Sequence, residues 1–176
     1  MESESKEYRK ILYKTSSIYL VFVALLIIVG KTKECLILCN DTPSVPIGYY
    51  LSLPSSSQIE KGSLYTIVIA ESYMQTIKKL GYHANSGTLL KRAVGVAGDT
   101  VHITESGVLI NNRLINNSKS QATAKNVALN PLPVGYKHTL TGGQVWLMGD
   151  TSNSYDSRYF GAINEAQVLK KAIFLF

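Results

Sequence analysis

Apolar and polar positions divide the chain near residue 30. Residues 1–14 carry four basic and three acidic side chains, and residues 15–30 carry no charge. The uncharged run, Thr15 to Gly30, is apolar on every helical face. Sixteen residues make about 24 Å of helix, against a hydrocarbon core of about 30 Å. Lys14 and Lys31 flank the run, and their ammonium groups can snorkel to the two interfaces. The pattern predicts a short transmembrane anchor over 15–30. A cleaved signal fits less well, because Lys-Thr-Lys-Glu-Cys follows in place of a small-x-small site. A core helix fits less well too, because a small domain can rarely cover every face.

Beyond residue 40 the period changes from helical to extended. Short apolar stretches at 48–53, 63–69, 89–96, 144–148 and 168–174 alternate with Gly, Pro, Asn and Asp, and they predict strands. Val101–Thr104 and Val108–Ile110 around Glu105-Ser-Gly form a hairpin pattern, and Asn111-Asn112 marks a turn into a further short strand. One helix is expected near Ser72–Leu80, with Ser72 as N-cap and Gly81 as its stop. Residues 116–138 are polar, contain Pro131 and Pro133, and are expected to be a loop excursion. The fold class is mostly β: an antiparallel sheet domain with one short helix, over 31–176, on an N-terminal transmembrane helix.

Composition narrows the function. The chain of 176 residues is 45% hydrophobic and 17% charged, which excludes a disordered chain. Two cysteines exclude a disulfide scaffold and a four-cysteine zinc site. Cys35 and Cys39 are four apart, a spacing poorly suited to a bridge within a helix. The net charge of +6 is dispersed, with no Lys/Arg run longer than two, so no nucleic-acid partner is expected. The basic excess before the hydrophobic run favours residues 1–14 in the cytoplasm and the domain outside it. In a bacterium this predicts a single-pass inner-membrane protein facing the periplasm, touching lipid through 15–30. No metal site or cofactor is expected; Asp150 and Asp156 are too few carboxylates for a Ca²⁺ loop.

Three segments concentrate polar chemistry. In Asn40-Asp-Thr-Pro-Ser44-Val-Pro-Ile-Gly48, two prolines bracket Ser44 and fix φ near −65°; alone, this also fits ordinary turn chemistry. In Leu89-Leu-Lys91-Arg92-Ala-Val-Gly-Val-Ala-Gly98-Asp99, a lysine interrupts an apolar strand. Desolvation there lowers its pKa and makes it a usable base, whereas on an edge strand it would simply face solvent. Lys91 and Arg92 alternate, so only one can point to the buried side. The third segment, Gly149-Asp150 through Ser154-Tyr-Asp156-Ser-Arg158 to Gly161, is polar throughout, and Asp156 and Arg158 are close enough to pair. The three histidines, His83, His102 and His138, lie in no recognisable triad context.

Together the three segments resemble the type I signal peptidase family of serine proteases with a Ser/Lys dyad. The Lys-Arg-x-Val-Gly-x-x-Gly-Asp of residues 91–99 is similar to its lysine box. The Gly-Asp … Ser-x-Asp-Ser-Arg run ending at Arg158 is similar to its last box. Ser44 falls where the nucleophile box belongs. The Thr-Pro-Ser-x-Pro-x-Gly form, the short length, the single span and Pro131-Leu-Pro133 resemble the TraF-like conjugal-transfer peptidases. Val45 stands where a methionine commonly follows the serine, and Lys61-Gly62-Ser63 where Arg-Gly-Asp is common.

The resemblance implies Ser44 as nucleophile and Lys91 as general base. Ser154 would aim the Lys91 amine, Asp156 and Arg158 would brace the loop, and the Ser44 backbone N–H and Thr42 hydroxyl would form the oxyanion hole. It implies an exported precursor as partner, a pilin-like propeptide of a conjugative type IV secretion system, with the product released either hydrolysed or cyclised. Alternatives are a general signal peptidase and a non-catalytic component of a secretion apparatus. A self-cleaving repressor is a poorer fit, because a membrane span occupies the place of its DNA-binding domain.

Overall fold

The computed structural model describes residues 15–16, 18–23, 37–55, 58–82 and 87–176. The chain divides into two units, residues 1–35 and 36–176. In the first, residues 15–16 and 18–23 are helical. The remainder of the expected anchor, residues 1–14 and Cys35 lie outside the described residues. Among the described residues no helix is long and apolar enough to cross a membrane.

The second unit is built on an antiparallel sheet of seven strands in the order β1-β2-β13-β3-β4-β11-β12. These are β1 (Ile37–Asn40), β2 (Gly48–Pro54), β3 (Leu64–Val68), β4 (Thr88–Gly95), β11 (Gln144–Met148), β12 (Ile163–Asn164) and β13 (Val168–Phe174). β3 is buried at four of its five positions, as the unbroken apolar run of a central strand requires. A second sheet runs β10-β5-β6-β7, with β5 (Thr100–Thr104), β6 (Gly107–Ile110), β7 (Arg113–Leu114) and β10 (Lys137–Thr139). Asn111 and Asn112 link β6 to β7 with φ of 50° and 62°, the conformation a two-residue hairpin loop demands.

The predicted strands stand within a residue or two of their expected ends. Two expectations need correction. Residues 116–138 hold a small hairpin, β8 (Thr123–Ala124) with β9 (Val127–Ala128), and most of β10; pieces so short and polar carry no alternation to read. Helix α1 spans Glu71–Lys79, with Ala70 as N-cap and no side-chain cap, so Ser72 lies within the first turn. Glu71 at its start and Lys78 and Lys79 at its end complement the helix dipole in place of a cap. Gly81, at φ 79°, ends it as expected. A second helix, α2 (Ser157–Phe160), is one turn long, too short for a periodic signal.

Three apolar clusters hold the unit. The largest lies beneath α1 and α2, around Tyr65, Ile67, Met74, Ile77, Leu147 and Tyr159. The second fills the β5–β6 sheet around Trp146. The smallest joins Val45, Tyr50, Leu64, Leu90 and Ala172 and anchors the turn that carries Ser44.

Candidate active site

Ser44 sits in the loop between β1 and β2, and its neighbours fix that loop. The Asn40 side chain donates to the carbonyls of Thr42 at 2.8 Å, Pro46 at 3.1 Å and Val45 at 3.3 Å, and its oxygen accepts from the Thr42 hydroxyl at 2.9 Å. The Tyr50 hydroxyl donates to the Pro46 carbonyl at 2.5 Å. Val45 is buried in the smallest cluster, so the next residue back, Ser44, turns outward and is half-buried. Gly48 is required for a different reason: a Cβ there would overlap the Phe176 carbonyl and the Phe174 ring. That close approach lets the Tyr49 N–H reach the Phe176 carbonyl at 2.9 Å.

Lys91 lies on β4 opposite Tyr65 of β3 and is only 4% exposed. Burial, the dominant cause, pushes its pKa down to about 8; Asp156 and Asp150 pull upward and Arg158 adds to the lowering. An ammonium there is therefore poised to lose its proton near neutrality. Arg92, its neighbour, takes the other side of the strand, as alternation requires. It donates through Nε and Nη2 to the Asp150 carboxylate, both at 2.7 Å, and through Nη1 to the Gly62 carbonyl.

The loop after β11 completes the site. The Asp150 N–H donates to the Ser44 carbonyl at 2.6 Å, tying this loop to the Ser44 turn. Gly149 permits that contact: a Cβ there would come within 2.7 Å of the Ser44 carbonyl oxygen and 2.5 Å of the Ser154 Cβ. Asp156 and Arg158 form a fully buried ion pair, with Nη2–Oδ2 at 2.7 Å and Nε–Oδ1 at 2.8 Å. Burial alone would weaken the Arg158 charge, but the Asp156 hydrogen bond and charge more than offset it and raise its pKa. The same guanidinium donates to the carbonyls of Ser154 at 2.8 Å, Lys119 at 3.0 Å and Ser152 at 3.1 Å. It thereby moulds the loop that presents Ser154.

A cleft of about 340 Å³ brings Thr42, Ser44, Lys91 and Ser154 together along its lining. The Ser154 hydroxyl is buried without a hydrogen-bond partner among the described residues. The Thr42 and Ser44 hydroxyl oxygens are 3.4 Å apart. No direct hydrogen bond joins Ser44, Lys91 and Ser154 among the described residues; the three share the cleft and its desolvated setting. Asp156 and Arg158 lie behind the cleft, as supports. Neither His102 nor His138 lines it, and His138, on β10 of the second sheet, hydrogen-bonds Gln144 of β11; His83 lies outside the described residues. Cys39 is a free thiol on β1. Among the described residues no group of His, Cys, Asp or Glu gathers to hold a metal ion.

Sequence reasoning missed four supports. Asn40 and Tyr50 act through hydrogen bonds to carbonyls, which leave no residue-level signature. Ser157 accepts from the Leu147 N–H at 3.0 Å, filling the donor freed where the β11–β4 register shifts between Trp146 and Leu147. Asp99 gathers the Val96 N–H, the Lys61 ammonium and the Asn111 amide, which together outweigh its burial and lower its pKa. Its place at the end of the Lys91 segment was the one available signal.

The family model described as "Signal peptidase, peptidase S26" matches residues 10–176. Two plasmid transfer proteins TraF from Escherichia coli are each 32% identical to this chain. One match covers 143 residues, 74% of this chain and 77% of the relative; the other covers 139 residues, 73% and 76%. A crystal structure of a signal peptidase I from Enterococcus faecalis aligns over 69% of this chain and all of its own, at 20% identity and a TM-score of 0.38.

Proposed function

The chain belongs to the signal peptidase family, peptidase S26, and we propose that it is a membrane-anchored Ser/Lys-dyad endopeptidase that matures exported precursors, specifically pilin subunits of a conjugative type IV secretion system. The observation that carries the chemistry is a lysine amine, buried on an apolar strand and held near pKa 8, lining the same cleft as a serine on a braced turn. The likeness to plasmid transfer proteins supports the conjugative setting, and the uncharged run at 15–30 supports the anchor.

In this reading the neutral Lys91 amine takes the proton from Ser44 Oγ as that oxygen attacks the scissile carbonyl. Ser154, whose hydroxyl has no other partner among the described residues, closes on the amine and aims it. The oxyanion forms at the Ser44 N–H and the Thr42 hydroxyl. That hydroxyl now donates to Asn40, so it turns about χ1 to serve the oxyanion, and Asn40 releases it. A donor of this kind contributes about 3 kcal/mol to barrier lowering. Lys91 then returns its proton to the leaving amine, and the acyl-enzyme is resolved by water or by an amine of the substrate. The substrate lies extended in the cleft with small side chains before the cut, paired to a strand beside Ser44.

Mass spectrometry of a pilin precursor incubated with the full chain in membranes tests this. Trimming by the wild type and none by Ser44→Ala is expected; a product lighter by one water than the trimmed linear form marks cyclisation. Processing of unrelated secretory precursors but not of pilin would point instead to a general signal peptidase. No processing of either would refute the enzyme.

A further inference from the structure

The cleft has apolar lining of two kinds. Ile77 of α1 and Leu90 of β4 are fixed in core clusters, 3% and 8% exposed. Tyr82 lines the cleft too, but it is only half-buried and packs at the margin of the largest cluster. Its ring is held from outside. Lys125 places its ammonium 4.7 Å from the ring centroid and donates to the Leu80 carbonyl at 2.9 Å. Leu80 is the C-cap of α1, where carbonyls lack helical partners and the dipole favours a cation. One side chain thus closes the end of α1 and covers the face of the aromatic residue that follows it.

Lys125 comes from the tip of the β8–β9 hairpin. Lys125 and Asn126 have φ of 47° and 63°, the tight loop of a two-residue turn. Ala124 and Val127 on either side pack against the same cluster as Tyr82. The hairpin is therefore seated on the domain by apolar contacts of its own, and Lys125 is delivered to Tyr82 from a fixed base.

We infer that Tyr82 determines which substrate side chains the cleft admits, and that Lys125 is a positioning residue that holds the Tyr82 ring in place. The ligand is an extended peptide, so this rests on the peptidase reading, and it gives the 116–138 excursion a part in specificity. With the ring clamped, the cleft selects small side chains before the cut. With the clamp gone, the ring turns aside and larger apolar side chains enter.

The test compares two peptides that differ only in alanine or leucine at the residue before the cut. Binding is measured on the full chain carrying Ser44→Ala, which needs no turnover, and cleavage on chains with Ser44 intact. Lys125→Met and Tyr82→Ala are expected to raise relative affinity for the leucine peptide about tenfold, the size of effect a few methylenes produce in an apolar pocket. The change falls in KM rather than in kcat, and Lys125→Arg keeps the wild-type preference. An unchanged alanine-to-leucine ratio in both variants overturns the inference, as does an equal loss for both peptides, or no binding of either. Binding and selection by the Ser44→Ala chain without cleavage by the wild type would sink the peptidase chemistry and leave the Tyr82 assignment standing.

Discussion

A buried amine on an apolar strand carries opposite consequences for chemistry and for stability, and Lys91 can be tested on both. Its pKa falls from 10.5 to about 8 because burial disfavours the charged form. As a base it must be neutral, so kcat/KM should rise with pH through about 8 and level above it. Lys91→Arg keeps a long cationic side chain but cannot lose its proton. It should be as inactive as Lys91→Ala; near wild-type turnover by a folded Lys91→Arg preparation would remove Lys91 from the base role. The stability sign runs the other way from an ion pair. Between pH 8 and 10.5 the unfolded chain binds the proton that the folded chain has released, so stability rises with pH across that window. Below pH 8 the buried charge costs folding roughly 3 kcal/mol. Lys91→Met, apolar and of similar length, should therefore be inactive yet more stable than the wild type at pH 7, with a flatter stability profile between pH 8 and 10.5. Urea unfolding at pH 7 and pH 10 reads both, and equal profiles for the two proteins would mean the amine is not desolvated.

At the scale of elements, the site depends on the Ser44 turn and the loop after β11 approaching more closely than side chains normally allow. Gly149 is where they meet, with the Ser44 carbonyl and Ser154 on either side. Gly149→Ala must push one of them away, and overpacking of this kind costs about 1–3 kcal/mol of stability. Both neighbours belong to the site, and misplacement by about an ångström can cost on the order of a hundredfold in rate. A drop in kcat of that size, with the fold retained by circular dichroism, is the expected outcome; activity within twofold of wild type would show that the loop is not held against the Ser44 turn. The same segments show what a sequence discloses. Lys91 was legible because an apolar strand makes any cation conspicuous, and the Asp156–Arg158 pair because a single residue separates complementary charges. Ser44 was legible only through its company of Thr42, the prolines and the two later boxes. What stayed hidden was carried by backbone groups: Asn40 and Tyr50 hold carbonyls, Ser157 serves a register shift, and α2 and β8–β9 are too short to show a period. The expected Ser72 cap failed for a related reason, because Ser, Asp and Asn favour caps only where the entering chain leaves their side chain in reach, and Glu71 already complements the dipole one residue earlier.

For the molecule as a whole, the proposed anchor poses the question of the side of the membrane on which the cleft would lie. Residues 36–176 form their own unit. The decision falls to the flanks of the uncharged run: Lys6, Arg9, Lys10 and Lys14 precede it, while Lys31 and Lys33 follow. Basic residues are retained in the cytoplasm, and acidic ones count for little, so on the proposed anchor the excess of two would hold residues 1–14 inside. A bacterial alkaline phosphatase fused after Phe176 through a flexible linker should then be active, and a reporter that works only in the cytoplasm should be silent there. The linker matters because the Phe176 carbonyl is hydrogen-bonded to Tyr49 and the Phe176 ring packs on Tyr49 at 5.3 Å. Changing Lys6, Arg9 and Lys10 together to Gln leaves Lys14 against Lys31 and Lys33 and should move a measurable fraction of the fusion to the inverted orientation. A silent phosphatase with an active cytoplasmic reporter in the unaltered chain would put Ser44 and Lys91 on the side that exported precursors have already left, and the maturation role would fall with it.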